Sequence, residues 1–289
     1  MIEIIQQRLT RYQAGNLAEE TQALKEILQE LALYGLWRGS FFEVAAFQGG
    51  TSLRILHQLP RFSEDLDFIL RQPLVDFDWQ PYLQQLLDTL ELFGLQPEML
   101  DKSRMEQPIR KAVLKDDSIA QQLNLAFYPA QAGSRTTPHK LKIKLEIDIN
   151  PPASSGFDWR YLDFPLDFEV CHQDLPSNFA LKIHALLCRP YVKGRDWYDF
   201  NWYVKQDIKP NLPHLQAALQ QAGPWQGQDL SVDAAWLKQA LRDKIARIDW
   251  KAAVQDVERF VPALEQASLQ LWGERFYTQR VQQLFKEGV

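Results

Sequence analysis

The stretch "KIKLEIDIN", residues 142–150, alternates without a break. Ile143, Leu145, Ile147 and Ile149 fall on one parity, and Lys142, Lys144, Glu146, Asp148 and Asn150 on the other. Successive side chains of a strand point to opposite faces, so this segment must be a strand with one face in a core and one face charged. A sheet is therefore obligatory, and its charged face carries two carboxylates. "PPASSG" ends the strand with turn residues. "RKAVLKD" and "QQLNLAFY" upstream read as further strands between polar turns.

Helical spacing surrounds this sheet. Asn16 and Glu19 stand as N-cap and N3 of a helix carrying Leu24, Ile27, Leu28 and Leu31. "DWQPYLQQLLDTLELFG" sets Leu83, Leu86, Leu87 and Leu90 on one helical face, with Gly94 as its stop. "NFALKIHALLCR" and "RDWYDFNWYV" are two helices separated by Pro190 and Gly194, and helical periodicity continues from Pro210 onward. "DIKPNLP" is the best linker in the sequence. The reading is an α+β fold with a mixed sheet: residues 1–175 form N-terminal helices and the sheet core, and residues 176–289 a mainly helical domain.

Between the first helices and the acidic strand lies "FQGGTSLRILHQLPRFSEDLDFIL", residues 47–70. "FFEVAAF" before the glycines reads as a strand, "TSLRILHQL" as two helical turns before Pro60, and "DLDFIL" as a buried strand. Side chains two apart on a strand share a face, so Asp65 and Asp67 are expected to present both carboxylates together, within reach of a shared divalent cation, while Leu66 enters the core. Gly49 and Gly50 at a helix start leave backbone N–H groups bare for phosphate oxygens, aided by the positive end of the helix, and Thr51 or Ser52 adds a hydroxyl. These parts suit transfer of a phosphorus group from a nucleoside triphosphate with Mg²⁺ offsetting the phosphate charge. A third carboxylate usually completes such a site; Glu146 and Asp148 share the charged face, and the spacing does not choose between them. Alone, either short motif is more often an ordinary turn or a solvated acid pair. Their order along the chain is what points to a site.

Charge narrows the partners. A net charge of −5 argues against coating nucleic acid without specificity, so any basic grip must be local. "RTTPHKLKIK" with Arg135, Lys140, Lys142 and Lys144, and "KSRMEQPIRK" with Lys102, Arg104, Arg110 and Lys111, supply a basic strip for a nucleic-acid acceptor or, equally, a solvated sheet face. Two cysteines, Cys171 and Cys188, without metal-ligand spacing suggest neither a disulfide framework nor a zinc site, and fit a reducing cytoplasm. No run of about 18 uncharged apolar residues suggests a membrane span.

"GGTSLRILHQLPRFSEDLDF" closely resembles the signature of the AbiEii/AbiGii toxin family of nucleotidyltransferases, within the DNA polymerase β-like superfamily. "LKIHALLCRPYVKGRDWYDFNWYV" resembles the downstream Lys…Arg-Asp-x-Tyr-Asp segment of the same family, and the match runs in order over residues 47–204. The resemblance implies a polymerase β-like nucleotidyltransferase core, with Gly50 and Thr51 near the triphosphate and Asp65 and Asp67 on Mg²⁺. It implies that Lys182 holds a phosphate and that Asp196 orients a nucleotide or substrate group. It implies a toxin of a toxin–antitoxin or phage-defence system, some members of which add nucleotides to tRNA, and hence an antitoxin partner.

On spacing alone, Lys182 is more often a solvated helix lysine, Asp196 divides evenly between functional and helix-terminal roles, and Asp199 reads as structural. Arg54 and Arg61 flank the Gly-Gly turn; either can offset phosphate charge, although an arginine there commonly makes a surface ion pair. His57, His172, His184 and the cysteines read as packing or surface. Three functions follow: Mg²⁺-dependent transfer of a nucleoside monophosphate from an NTP to an acceptor such as tRNA; transfer of the γ-phosphate to a protein or RNA hydroxyl on the same fold; and a non-catalytic binding module.

Overall fold

The strand the alternation demands is β5 in a computed structural model that describes residues 2–103, 107–116, 118–119, 123, 125 and 141–286. In chain order the first elements are α1 (Ile2–Arg11), α2 (Leu17–Arg38), a 3₁₀ turn (Phe41–Glu43), β1 (Ala45–Gln48), α3 (Gly49–His57), β2 (Leu66–Leu70) and α4 (Gln80–Leu92). Then come β3 (Glu98–Asp101), β4 (Ile109–Asp116), β5 (Leu141–Asp148), β6 (Phe157–Leu162) and β7 (Phe168–Gln173). The remainder is helical: α5 (Leu175–Cys188), α6 (Gly194–Lys205), α7 (Leu212–Gln221), α8 (Ala234–Ile245), α9 (Trp250–Val257), α10 (Ala263–Gln266) and α11 (Glu274–Leu284). The "QQLNLAFY" segment lies almost wholly outside the described residues, as do Arg104, Arg135 and Lys140.

Seven strands form one mixed sheet in the order β3-β4-β5-β2-β1-β7-β6. At its centre β2 runs parallel to β5 and antiparallel to β1, while β4 is antiparallel to β5. On β5 the buried parity is Leu141, Ile143, Leu145 and Ile147, as the alternation requires. The matching parity of β2 buries Phe68, whose ring meets Phe41 edge-on at 5.0 Å and packs against Phe47. α2 and α4 pack on one another, and α2 also packs on β5. Asn16 caps α2 by accepting from the Glu19 N–H at 3.0 Å, while the Glu19 carboxylate reaches back to the Gly15 N–H at 2.8 Å. Gly94, at φ +83°, follows the end of α4.

Three points differ from the sequence expectations. Phe41 and Phe42 stand in a 3₁₀ turn, and the strand read from "FFEVAAF" is only Ala45–Gln48. β3, β6 and β7 were not foreseen; in β6 Phe157, Trp159 and Tyr161 alternate with Asp158 and Arg160, yet Trp159 and Tyr161 stay exposed, so the alternation marks no buried face. "DIKPNLP" is no interdomain linker, since it joins α6 to α7 inside one compact unit.

The chain divides into two such units: residues 1–57, 63–151 and 159–172 form one, and residues 58–62, 152–158 and 173–289 the other. The second is held by α5 against α6, α7 and α8, and by an aromatic cluster in which Tyr277 stacks on Trp250 at 4.4 Å and meets Trp197 at 5.1 Å. Among the described residues no helix is long and apolar enough to cross a membrane.

Candidate active site

In the sheet unit, β1 ends at Gln48 and α3 begins at once, so the turn must reverse the chain within Gly49. Its φ of +77° is a left-handed conformation that glycine adopts without strain. A Cβ at this position would stand 2.7 Å from Asp67 Oδ2, which makes a side chain at 49 incompatible with the Asp67 carboxylate as placed. The glycine turn and the second acid of Asp-Leu-Asp are thus built against one another. The first turn of α3 contains no acidic side chain of its own, and the carboxylate that stands at its start is that of Asp67.

The two hydroxyls of the turn are committed to the backbone. Thr51 is fully buried and donates to the Asp65 carbonyl, and buried Ser52 donates to the Gly49 carbonyl at 2.9 Å. The Thr51 bond ties the start of α3 to the residue preceding β2. That strand begins at Leu66, so only Asp67 of the acid pair stands in the ladder.

Parallel pairing sets Asp67 opposite Glu146 and Ile69 opposite Asp148. Glu146 is therefore the acid nearest Asp67 in register, and it accepts from Lys111 Nζ at 3.0 Å across the β4–β5 ladder. Asp148 accepts from the Asn150 N–H at 2.9 Å, and burial pushes its carboxyl above the usual range against that bond. Among the described residues no three His, Cys, Asp or Glu side chains are gathered as a metal site. Hard oxygen donors, here Asp67 and Glu146 as neighbours, are the class that Mg²⁺ takes, and this ion is usually held by one or two carboxylates plus substrate phosphates rather than by an all-protein cage. The residues fit such an ion.

Of the basic strip, Lys102, Lys142 and Lys144 are exposed, but Arg110 is not part of it. Period 2 turns Arg110 to the buried parity of β4, where its guanidinium donates to the Gln107 and Val75 carbonyls.

The helical unit contains a second cluster. Lys182 on α5 donates to Asp196 Oδ1 on α6 at 2.9 Å and stands 2.9 Å from Asp199 Oδ2. Asp199 is fully buried and receives Arg61 in a two-pronged pair, both contacts 2.6 Å, while Arg189 holds the other Asp196 oxygen at 2.5 Å. Burial opposes every one of these charges. For Lys182, the two aspartates outweigh it and hold the ammonium above its ordinary range. For Asp196, Lys182, Arg189 and Lys193 outweigh it and hold the carboxyl low; Arg61 and Lys182 do the same for Asp199. Gly194 opens α6 where a Cβ would lie 1.9 Å from the Ala253 carbonyl, so the approach of α9 demands glycine at this helix start.

Lys182 is thus not a solvated helix lysine, and Arg61 is not a surface partner but a buried one. Sequence reasoning missed the Arg61–Asp199 pair; 138 residues separate the two, and no local spacing could announce it. His57 and His172 form an edge-on ring pair at 5.3 Å beside Arg160, and no metal grouping includes them.

The sequence profile described as "Nucleotidyl transferase AbiEii toxin, Type IV TA system" matches residues 31–285, and the chain belongs to this family of nucleotidyltransferase toxins. It is an enzyme of that class, with the α+β architecture described above. Among solved structures it is similar to MenT4, a nucleotidyltransferase toxin of Mycobacterium tuberculosis, at 16% identity and a TM-score of 0.55, covering 100% of this chain and 91% of that one. JHP933 of Helicobacter pylori aligns at 15% identity and a TM-score of 0.44 over 88% of each chain. Comparison with curated proteins returns no match.

Proposed function

We propose that this toxin transfers a nucleoside monophosphate from an NTP to an RNA hydroxyl at the 3′ end of tRNA, in a Mg²⁺-dependent reaction in the cytoplasm. The observation that carries the reading is the fit of Gly49 to Asp67, which sets the start of α3 beside an acidic sheet face. Family membership supplies the class of chemistry.

In this reading the N–H groups of Gly49, Gly50, Thr51 and Ser52 cradle the triphosphate, and the buried Thr51 and Ser52 hydroxyls keep that turn in shape. Asp67 and Glu146 hold the metal, with Asp65 and Asp148 beside them in sequence. The ion, when bound, offsets charge on the phosphates and lowers the pKa of the attacking hydroxyl. The hydroxyl oxygen forms a bond to the α-phosphorus and gives its proton to water, the bond from the α-phosphorus to the bridging oxygen breaks, and pyrophosphate leaves with the electron pair. Lys182 takes a phosphate in the helical unit, where Asp196 fixes its ammonium and orients a nucleotide or substrate group. As in a toxin–antitoxin pair, an antitoxin restrains the activity in the cell, and phage defence is the setting it serves.

Purified protein with Mg²⁺, bacterial total RNA and each NTP labelled at either the α or the γ phosphate tests this. Label entering RNA from the α position alone is expected; label entering from the γ position alone would replace nucleotidyl transfer with phosphoryl transfer.

A further inference from the structure

The helical unit contains a cleft of about 640 Å³ that the proposed chemistry does not use, lined by the 187–192 loop, by Pro224 and Trp225, and by one side of α8. Its walls combine two kinds of side chain. Tyr191 is exposed, and Trp225 and Trp236 stand edge-on at 5.5 Å. Arg189, Lys244 and Arg247 line the same space against a single carboxylate, Asp243. Arg189 is paired with Asp196, which leaves Lys244 and Arg247 against Asp243, a local cationic excess around three aromatic rings in a chain whose net charge is −5.

We infer that this cleft binds single-stranded RNA, and that it is where the acceptor strand of the proposed reaction is gripped; the second clause rests on the function proposed above. A base offers a π-face to Trp or Tyr whatever its identity, and the adjoining phosphates take Arg and Lys. The volume lies within the range of about 300 to 1,000 Å³ typical of ligand sites. Arg189 joins the cleft to the Lys182 cluster. Its carbonyl accepts from Lys244 Nζ at 2.9 Å, its guanidinium lies 5.9 Å from the Tyr191 ring centroid, and the same guanidinium holds Asp196, the partner of Lys182. A strand seated here touches the residue that fixes the Lys182–Asp196 pair.

The test uses the full chain and fluorescence anisotropy with a fluorescein-labelled 12-nucleotide single-stranded RNA across a KCl series, with Arg247→Glu and Trp236→Ala as cleft variants. Lys251→Glu, an exposed charge reversal outside the cleft, is the control. Each cleft variant is expected to weaken RNA binding by about tenfold or more, as loss of one stacked base or one phosphate contact does, and Arg247→Glu to lower the salt slope by about one. Lys251→Glu should change affinity less than twofold, binding of a fluorescent ATP analogue should be unchanged in every variant, and melting temperature should be unchanged in Arg247→Glu and Lys251→Glu and modestly lower in Trp236→Ala, which loses its ring pair with Trp225. RNA affinity within twofold of the parent in both cleft variants would overturn the inference. Complete displacement of the RNA by free ATP, abolished by the same variants, would also overturn it by making the cleft a mononucleotide site. The readout needs no turnover, so loss of RNA binding in the variants sustains the cleft even if no nucleotide transfer is found.

Discussion

Gly49 is where the residue-level account can be tested most sharply. Alanine there must hold a left-handed φ, costing about 1 to 2 kcal/mol, and its Cβ also displaces the Asp67 carboxylate. Gly49→Ala should therefore lower the urea midpoint modestly while reducing nucleotide transfer by a larger factor; equal activity per folded molecule would contradict the coupling of turn and acid. Asp199 makes a separate prediction. Replacing it by Asn leaves Arg61 buried without its counter-charge and Lys182 with Asp196 alone, and a buried charge that loses its partner typically costs about 3 to 5 kcal/mol. Denaturant unfolding of Asp199→Asn, Arg61→Met and the double variant should show the double losing much less than the sum. At this scale the sequence was legible where a local conformation or a period dictated a residue, as at Gly49 and on the acidic parity of β5. It was silent where two residues meet only through the fold, as Thr51 and the Asp65 carbonyl do, or Arg61 and Asp199.

At the scale of elements, strongly periodic segments were readable because period and burial agree. α2 has its cap at Asn16 and its core residues Leu24, Ile27, Leu28 and Leu31 where the spacing set them. Asn16→Ala should cost about 1 kcal/mol of stability, read from the urea midpoint, because the Glu19 N–H loses its acceptor. β6 and β7 were not foreseen: β6 is the end strand of the sheet, where aromatic residues alternate with polar ones but most side chains are exposed, and β7 is buried almost throughout, so in neither does burial follow a period of two. The same period explains the correction at Arg110. Adjacent to Lys111 in sequence, it could never share that residue's sheet face.

For the whole molecule, the titrating groups set how stability follows pH. Burial, with His172 and Arg160, lowers His57 to about 3, so the unfolded chain binds more protons below pH 6.5 and stability falls on acidification from there. Burial raises Glu30 to about 7 despite its Arg8 partner, so the native chain binds more protons between 4.5 and 7 and stability rises on acidification through that window. The two oppose one another over their shared range. Below about pH 3.8 the depressed Asp196 and Asp199 take over, and the stabilisation their charges provide is lost as pH falls toward their native values. Urea midpoints measured against pH should therefore drop steeply below 4, with a shallower drop in Asp199→Asn. The central claim concerns Asp67, the acid that both the glycine turn and the central β2–β5 pairing position. The most direct measurement is the rate of α-labelled nucleotide entering tRNA with Mg²⁺, for the parent and for Asp67→Ala verified as folded by circular dichroism. The account predicts transfer by the parent and a loss on the order of 100-fold or more in the variant; a folded Asp67→Ala protein transferring at the parent rate would contradict it.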